Sequence, residues 1–319
     1  MAHRVHILVP TYEPDPAHLR QAIESALGQT ERQWKMIVHD DASTTDVESI
    51  MKPYMKDRRI GFFRAPRRRG IGANWNACMK FASAPFIQYL FQDDMWSSTY
   101  LERMLAIMKA NPRIGFASAH HRYVCEGMEL PQSYEDVLQV REGEVAAGQH
   151  EGKAFLRWWL KRGLHPNVIG EPSFVMIRRS VLVRSGRFAD DLLQGLDGEQ
   201  WVRMLLVTDW FWCPESLGTF RVHPEGTSAR NQESGAGLTD RLEAFERLIG
   251  KLPRGELRSA AVSARNTALA NMAKKYMQRA GSGKRKAGSN GSMKRFALRH
   301  PVVTLRVLLG AWRGRSMEE

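Results

Sequence analysis

The sequence predicts an α/β protein whose mostly parallel sheet carries helices on both faces. Three observations predict it. Short apolar, β-branched runs alternate with helical periodicities over residues 5–110, and a polar cluster follows several of the strand ends. The 319-residue chain is 43% hydrophobic and 25% charged, which gives it a sizeable core and excludes a largely disordered chain. Open sheets of this kind bind ligands beyond the carboxyl ends of their strands. The clusters at residues 11–13, 40–43 and 92–94 therefore mark the expected crevice.

Val5 to Val9 reads as a buried strand closed by Pro10. Asp15-Pro16 then opens a helix, with Asp as cap and Pro at the first position, and Leu19, Ala22, Ile23, Ala26 and Leu27 recur at helical spacing. Trp34 to Val38 is a second strand running into His39-Asp40-Asp41-Ala42-Ser43. A weaker helix from Asp46 to about Met55, interrupted by Pro53, leads to a strand at Ile60 to Phe63. Gly72 to Ala84 reads as a helix, and Phe86 to Phe91 as a fourth strand ending in Gln92-Asp93-Asp94. A helix at Thr99 to Ala110 and a strand at Gly115 to Val124 follow.

Residues 126–170 lose the pattern and read as a lid or insertion, with an aromatic cluster at Phe155, Trp158 and Trp159. Regularity returns at Ser173 to Ile177, in a helix around Gly198 to Leu206, in an extended segment at Phe220-Arg221-Val222-His223, and in helices from Gly237 to Arg279. Ala280 to Ser292 is rich in Gly, Ser and Lys and reads as a flexible linker.

Forty-seven Lys and Arg against 34 Asp and Glu give a net charge of +13, which points to an anionic partner: nucleic acid, an anionic membrane or a phosphorylated small molecule. Twelve basic and two acidic residues lie between Lys274 and Glu319, so that segment carries +10 and residues 1–273 only +3. Cys78, Cys125 and Cys213 are widely spaced and form neither a zinc motif nor a disulfide framework, the pattern of reduced cytoplasmic thiols. The apolar run before Pro10 is too short for a signal peptide, and no apolar stretch reaches the length of a membrane span. The protein is expected to stay on the side where it is made.

Adjacent carboxylates at a strand end, Asp93 and Asp94, suit a hard divalent cation such as Mg²⁺ or Mn²⁺, which takes oxygen ligands and completes its shell with water and phosphate. The same pair also reads as the loop opening or cap of the helix near Thr99. Asp40 to Ser43 has a comparable alternative as an ordinary turn. What favours a site is that three such clusters on successive strands converge on one crevice.

With these residues in place, the sequence resembles the inverting, nucleotide-sugar-dependent glycosyltransferases of family 2, which have the GT-A fold, a Rossmann-like and mostly parallel sheet. The matches run in order: Val9-Pro10-Thr11-Tyr12, Asp40-Asp41-Ala42-Ser43, Gly70 with Asn76 six residues on, Gln92-Asp93-Asp94, Gly186-Arg187-Phe188, Asp197 ahead of Trp201 and Arg203, and Arg221-Val222-His223. The resemblance implies that Pro10, Thr11, Tyr12, Glu13, Arg68, Gly70 and Asn76 line the nucleotide-sugar pocket. It implies that Asp41 bonds a pyrimidine base such as uracil, that Asp93 lies near the ribose or sugar, and that Asp94 holds Mn²⁺ or Mg²⁺ with help from His223. Asp197 would be the general base, and Ser173, Trp201 and Arg203 would lie on the acceptor side. Four positions depart from the family pattern: Phe91 stands where another Asp often begins the acidic motif, Arg68 where Asn is usual, Trp75 where Arg is common, and Leu196 where Glu usually precedes the base Asp.

Several residues keep two readings. Glu199 is a rival base or, with Arg203 four residues on, one half of a helix-surface ion pair. His223 is a metal or diphosphate ligand or a structural histidine. Arg64, Arg67, Arg68 and Arg69 contact an anionic group or form a solvated loop. Cys78 reads as core, and Pro172-Ser173 as acceptor wall or strand entry.

In the tail, Val302, Leu305, Leu309 and Trp312 form one helical stripe, with Arg299, Arg306 and Arg313 beside it. That pattern suits an interfacial helix on an anionic membrane, or a terminal helix packed on the body. The expected organisation is a catalytic domain at 1–235, with a nucleotide-sugar half at 1–112 and an acceptor half at 113–235. A helical extension at 236–279, the linker at 280–292 and a basic tail at 293–319 follow.

A nucleic-acid binder lacks its motifs here, so no nucleic-acid partner is expected. A dinucleotide oxidoreductase lacks the Gly-x-Gly-x-x-Gly turn. An idle sugar-binding or scaffold protein of the same fold is the remaining alternative. The expected activity is metal-dependent, inverting transfer of a hexose or similar sugar from a nucleoside diphosphate-sugar to a glycan or lipid-linked acceptor. Such a step belongs to surface polysaccharide synthesis, in the cytoplasm or peripherally on the inner membrane face.

Overall fold

The computed structural model describes residues 3–226, 236–281 and 296–312. Four parallel strands lead: β1 (Val5–Thr11), β2 (Trp34–Asp40), β3 (Ile60–Arg64) and β4 (Phe86–Tyr89). They are followed by β5 (Met95–Trp96), β6 (Ile114–Cys125), β7 (Gly148–His150), β8 (Val175–Arg178) and β9 (Asp209–Val222). The nine strands form one sheet in the order β3-β2-β1-β4-β8-β6-β9-β5, with β7 paired to β9. β8 runs antiparallel to both β4 and β6, so the sheet is mixed beyond its parallel half.

Every residue of β1 is buried, as expected of a central strand covered on both faces. One face packs against α1 (Pro16–Leu27), α2 (Val47–Met51) and α4 (Tyr100–Ala110) through Leu19, Ile23, Leu101 and Met104. The opposite face carries α3 (Ile71–Met79), α6 (Gly152–Lys161), α7 (Arg179–Ser185) and α8 (Leu196–Leu205). α5 (Gln132–Glu144) lies in the segment between β6 and β7. α1 begins where its sequence directs it, since Asp15 accepts hydrogen bonds from the N–H groups of Ala17 (2.8 Å) and His18 (3.0 Å) ahead of Pro16.

Several expected elements differ. The helix expected to reach Ala84 ends at Met79, where Lys80, Phe81 and Ala82 go over to the tighter bonding to the residue three back, and the chain then turns to enter β4. The fourth strand stops at Tyr89, Leu90 makes the last bond to β1, and residues 91–94 leave the ladder to present Gln92 and Asp93. The unpatterned stretch 126–170 contains α5, β7 and α6. The extended segment expected only at 220–223 is the end of a 14-residue strand, in which Pro214 is tolerated because pairing with β6 slips at that point.

The helical extension comprises α9 (Ala236–Lys251) and α10 (Glu256–Gly281) and is followed by α11 (Pro301–Trp312). Leu242, Phe245, Leu269, Phe296 and Val307 share the hydrophobic cluster that contains Phe116, Trp201 and Trp210 of the sheet side. The extension thus completes the main core instead of standing apart from it. Ala280 and Gly281, expected to begin the linker, are the last turn of α10, whereas linker residues 282–292 and the first tail residues 293–295 lie outside the described residues.

Candidate active site

A crevice of about 220 Å³ opens at the carboxyl ends of β1, β2, β4 and β9, facing the N-terminus of α8. It is the expected place for a ligand in an open α/β sheet.

On one side, Pro10, Thr11 and Tyr12 enter the crevice from the end of β1. Gln92 clasps Tyr12, accepting from its backbone N–H at 2.9 Å and donating to its carbonyl at 3.3 Å. The Arg68 guanidinium lies 4.1 Å from the centre of the Tyr12 ring. Together they form a flat cationic and aromatic surface of the kind that stacks on a planar base. Asp41 is buried beside them, and its two oxygens accept from the N–H groups of Arg69 and Gly70, both at 2.9 Å. Asp41 thereby shapes the loop before α3, where Gly70 adopts φ +92°, a conformation that a side chain would oppose.

Two residues expected to line this pocket are engaged elsewhere. Glu13 accepts hydrogen bonds from the backbone N–H and hydroxyl of both Thr44 and Thr45, so it ties the loop after β2 in place. The Thr44 N–H and its companions hold its carboxyl below the ordinary range. Asn76 is buried against the 186–188 segment, donating to the Phe188 carbonyl (2.8 Å) and accepting from its N–H (3.1 Å). Asn74, two positions earlier and therefore on another face of α3, lines the crevice instead and donates to the Thr11 carbonyl at 3.1 Å.

At the end of β4, Asp93 meets His223 from the end of β9, with Oδ2 and Nε2 3.3 Å apart. The Asp93 hydrogen bond raises the His223 pKa. Arg221 holds the Asp93 carbonyl at 3.2 Å and pairs with Glu126. Asp94 is fully buried beneath this pair and does not line the crevice. Its Oδ1 accepts from the Arg221 N–H at 3.3 Å, while Oδ2 is buried without a hydrogen-bond partner. Burial, reinforced by the Asp93 charge, pushes the Asp94 carboxyl well up.

An orphaned carboxylate oxygen beside a second carboxylate and a histidine fits a divalent cation, which needs only one or two protein carboxylates when phosphate oxygens and water complete its shell. No three His, Cys, Asp or Glu side chains form a ready cage among the described residues.

Opposite, Asp197 opens α8 and faces the crevice. Its Oδ2 accepts from Asn167 Nδ2 (2.8 Å) and its Oδ1 from the Gly198 N–H (2.7 Å). Burial, and then the charge of Glu171, raise its pKa from the ordinary 3.8 to about 7, against the pull of those donors. A carboxylate poised near neutrality is suited to proton abstraction. The loop ahead of it is fixed by Asp240 of α9, whose Oδ2 accepts from the N–H groups of Leu193, Gln194 and Gly195 at 2.6–3.0 Å.

Other residues expected on this side are structural. Glu199 and Arg203 do pair, but in the interior instead of on the helix surface: Arg203 Nε lies 2.9 Å from both Glu199 oxygens, and the two side chains are 9% and 3% exposed. Arg203 also donates to the carbonyls of Ser185 and Arg187. Glu199 is thus away from the crevice and occupied, which removes it as a rival base. Trp201 is fully buried, stacked on Phe116 and bonded to the Gly170 carbonyl. Ser173 is buried and accepts from the Phe91 N–H, while Glu171 and Pro172 just before it face the crevice.

Sequence reasoning passed over Asn74, Asn167, Glu171 and Tyr134. Asn167, Glu171 and Tyr134 lie in or beside the unpatterned stretch, where no periodicity signals which side chains turn inward.

This fold and this crevice define a class: GT-A glycosyltransferases. The family model for glycosyl transferase family 2 matches residues 6–183, more than half of the chain, and the chain belongs to that family. An uncharacterized protein of Mycobacterium tuberculosis is 26% identical over 260 residues, covering 81% of this chain and 79% of that protein. The Escherichia coli UDP-Glc:alpha-D-GlcNAc-diphosphoundecaprenol beta-1,3-glucosyltransferase WfgD is 30% identical over 107 residues, 34% of this chain and 42% of WfgD.

Among solved structures, residues 1–349 of Staphylococcus aureus TarS in complex with UDP-GlcNAc superpose with a TM-score of 0.67 at 15% identity, covering 95% of this chain and 82% of that one. The mannosyltransferase PcManGT of Pyrobaculum calidifontis, in complex with GDP-Man and Mn²⁺, superposes with a TM-score of 0.60 at 17% identity, over 98% and 87% of the two chains. These two likenesses bear on the fold.

Proposed function

We propose that this glycosyltransferase moves a sugar, with inversion, from a nucleoside diphosphate-sugar to a hydroxyl of a glycan or lipid-linked acceptor, and that the transfer depends on Mn²⁺ or Mg²⁺. The observation that carries the reading is the opposition of two groups across one crevice: the Asp93–His223 pair on one wall and the poised carboxylate of Asp197 on the other. Complexes of UDP-GlcNAc with TarS and of GDP-Man and Mn²⁺ with PcManGT support the donor class, and the WfgD match supports a diphosphate-lipid acceptor in polysaccharide synthesis.

In this reading the nucleobase rests against Tyr12 and Arg68, with Asp41 keeping the 68–70 loop in shape. Asp93 and His223, with Asp94 buried behind them, would hold the cation, which would supply electrophilic stabilisation of the departing diphosphate. Asp197 takes the acceptor hydroxyl's proton as that oxygen attacks the anomeric carbon from the face opposite the diphosphate. A single displacement of this geometry inverts the anomeric configuration. Asn167 and the Gly198 N–H keep the carboxylate aimed at the acceptor, and general-base assistance of this kind contributes about 10² to 10⁴ in rate.

The test is a thermal-shift panel of nucleoside diphosphates and nucleotide sugars with and without Mn²⁺, followed by transfer assays with the donor that stabilises most. Stabilisation by one diphosphate that grows with Mn²⁺ is the expected result. No response to any nucleotide would leave a sugar-binding scaffold as the better account.

A further inference from the structure

Among the described residues, the terminal helices leave an apolar face unpartnered. Residues 296–299 are helical and α11 follows after His300. Phe296, Thr304 and Val307 turn inward and are buried against the body. On the other side, Leu298 is 83% exposed, Val302 72%, Leu305 60% and Leu309 44%. Their spacing of four, three and four residues keeps all four on one stripe. A helix anchored by one face does not ordinarily hold four large apolar side chains in water on the other, and a contiguous patch of this kind marks an interaction surface.

Charge identifies the occupant. The segment from Lys274 to Glu319 carries +10, three-quarters of the whole chain's excess. Arg306 is exposed on α11 next to the stripe. Lys294, Arg295, Arg313 and Arg315 flank the helix in sequence, outside the described residues. A second copy of the same stripe would bring like charges together, whereas an anionic bilayer offers apolar depth to the leucines and headgroup charge to the arginines. No helix among the described residues is long and apolar enough to cross a membrane, so the contact is with the surface.

We propose that the face formed by Leu298, Val302, Leu305 and Leu309 docks on an anionic lipid surface. The turn just before α11 is also tied to α9 and to the segment that leads to α8. Arg299 pairs with Glu243 of α9 at 3.2 Å and approaches Asp191, six residues before Asp197, at 4.0 Å. The surface would therefore hold the lipid near the segment that leads to α8 and Asp197. This placement gains its purpose from the proposed lipid-linked acceptor, but the docking itself can be measured without any transfer.

The experiment is co-sedimentation of the full chain with vesicles of phosphatidylcholine alone and of phosphatidylcholine mixed with phosphatidylglycerol, for wild type, Val302→Glu/Leu305→Glu and Arg306→Glu. Wild type is expected to bind the mixed vesicles at least about tenfold more tightly than the neutral ones, and less tightly as salt rises. The double variant is expected to lose about tenfold or more in affinity for mixed vesicles, and Arg306→Glu several-fold. Because these side chains are exposed, thermal midpoint and nucleotide-induced stabilisation should be unchanged in all three proteins. That control separates failure of docking from failure of the transferase reading. Equal binding of wild type and double variant overturns the proposal. So does a wild-type dimer that the double variant dissolves while vesicle binding is absent, which would assign the face to a second copy.

Discussion

Replacing Asp197 with Asn should make the protein more stable as well as inactive, and the gain should depend on pH. Burial and the neighbouring Glu171 raise the Asp197 carboxyl from an ordinary 3.8 to about 7 in the folded state. The folded protein therefore binds this proton more tightly than the unfolded chain does. The associated stability is fully present below the unfolded value and is lost as pH rises through the folded one, a window from about 4 to about 7. At 1.36 kcal/mol per unit, wild type loses roughly 3 kcal/mol between about pH 5 and about pH 8 that the Asn variant keeps.

For a chain of this size that corresponds to a widening of roughly 5 °C in the gap between the two thermal midpoints. Asn can still accept from the Gly198 N–H, but its amide meets the Asn167 amide donor-to-donor, which offsets part of the gain at every pH. Scanning calorimetry across that range, paired with turnover measurements, reads both effects. A midpoint gap that stays constant with pH would refute the poised carboxylate, and turnover in Asp197→Asn would refute its role as base.

Asn167→Ala removes a donor that lowers the Asp197 pKa, so the rising limb of the kcat–pH profile should move to higher pH, with donor KM little changed. Asp93→Ala and His223→Ala should each weaken the apparent Mn²⁺ affinity by about tenfold or more, read by titrating metal into the donor-binding assay. Arg203→Met leaves Glu199 buried without its partner and should destabilise the fold by about 3 to 5 kcal/mol in denaturant titrations. At Gly72, an added Cβ would lie 2.6 Å from Leu196 Cδ2 and 2.7 Å from the Ala189 carbonyl. Gly72→Ala should therefore lower stability by about 1 to 3 kcal/mol and, by displacing the start of α8, reduce turnover.

The parallel half of the sheet was legible because its strands are short, apolar and bounded by turn residues, and because Asp15-Pro16 marks a helix start by local chemistry alone. The crevice was legible for a related reason: polar residues after a buried strand have few other places to go. Roles were harder to read than places. Glu13, Asn76, Ser173 and Arg203 sit close to the crevice in sequence, yet each is consumed by a backbone partner up to 112 residues away that no local pattern encodes. β9 escaped notice because Pro214 breaks the run that its tryptophans begin, and only the slipped pairing with β6 accommodates it. The tail stripe was visible at helical spacing, but deciding between burial and exposure needed the opposite face of the terminal segment, with Phe296 before α11 and Val307 within it turned inward.

The grip of Asp240 on Leu193, Gln194 and Gly195 bears on how this chain can be recombined. The family match ends at residue 183, short of Asp197, and a graft running only from there through α8 would import Asp197 without the Asp240 carboxylate that shapes its approach. A cassette that keeps the approach to Asp197 intact runs from the loop at 190 through α9. A graft that stops before α9 would carry the chemistry and leave its aim behind.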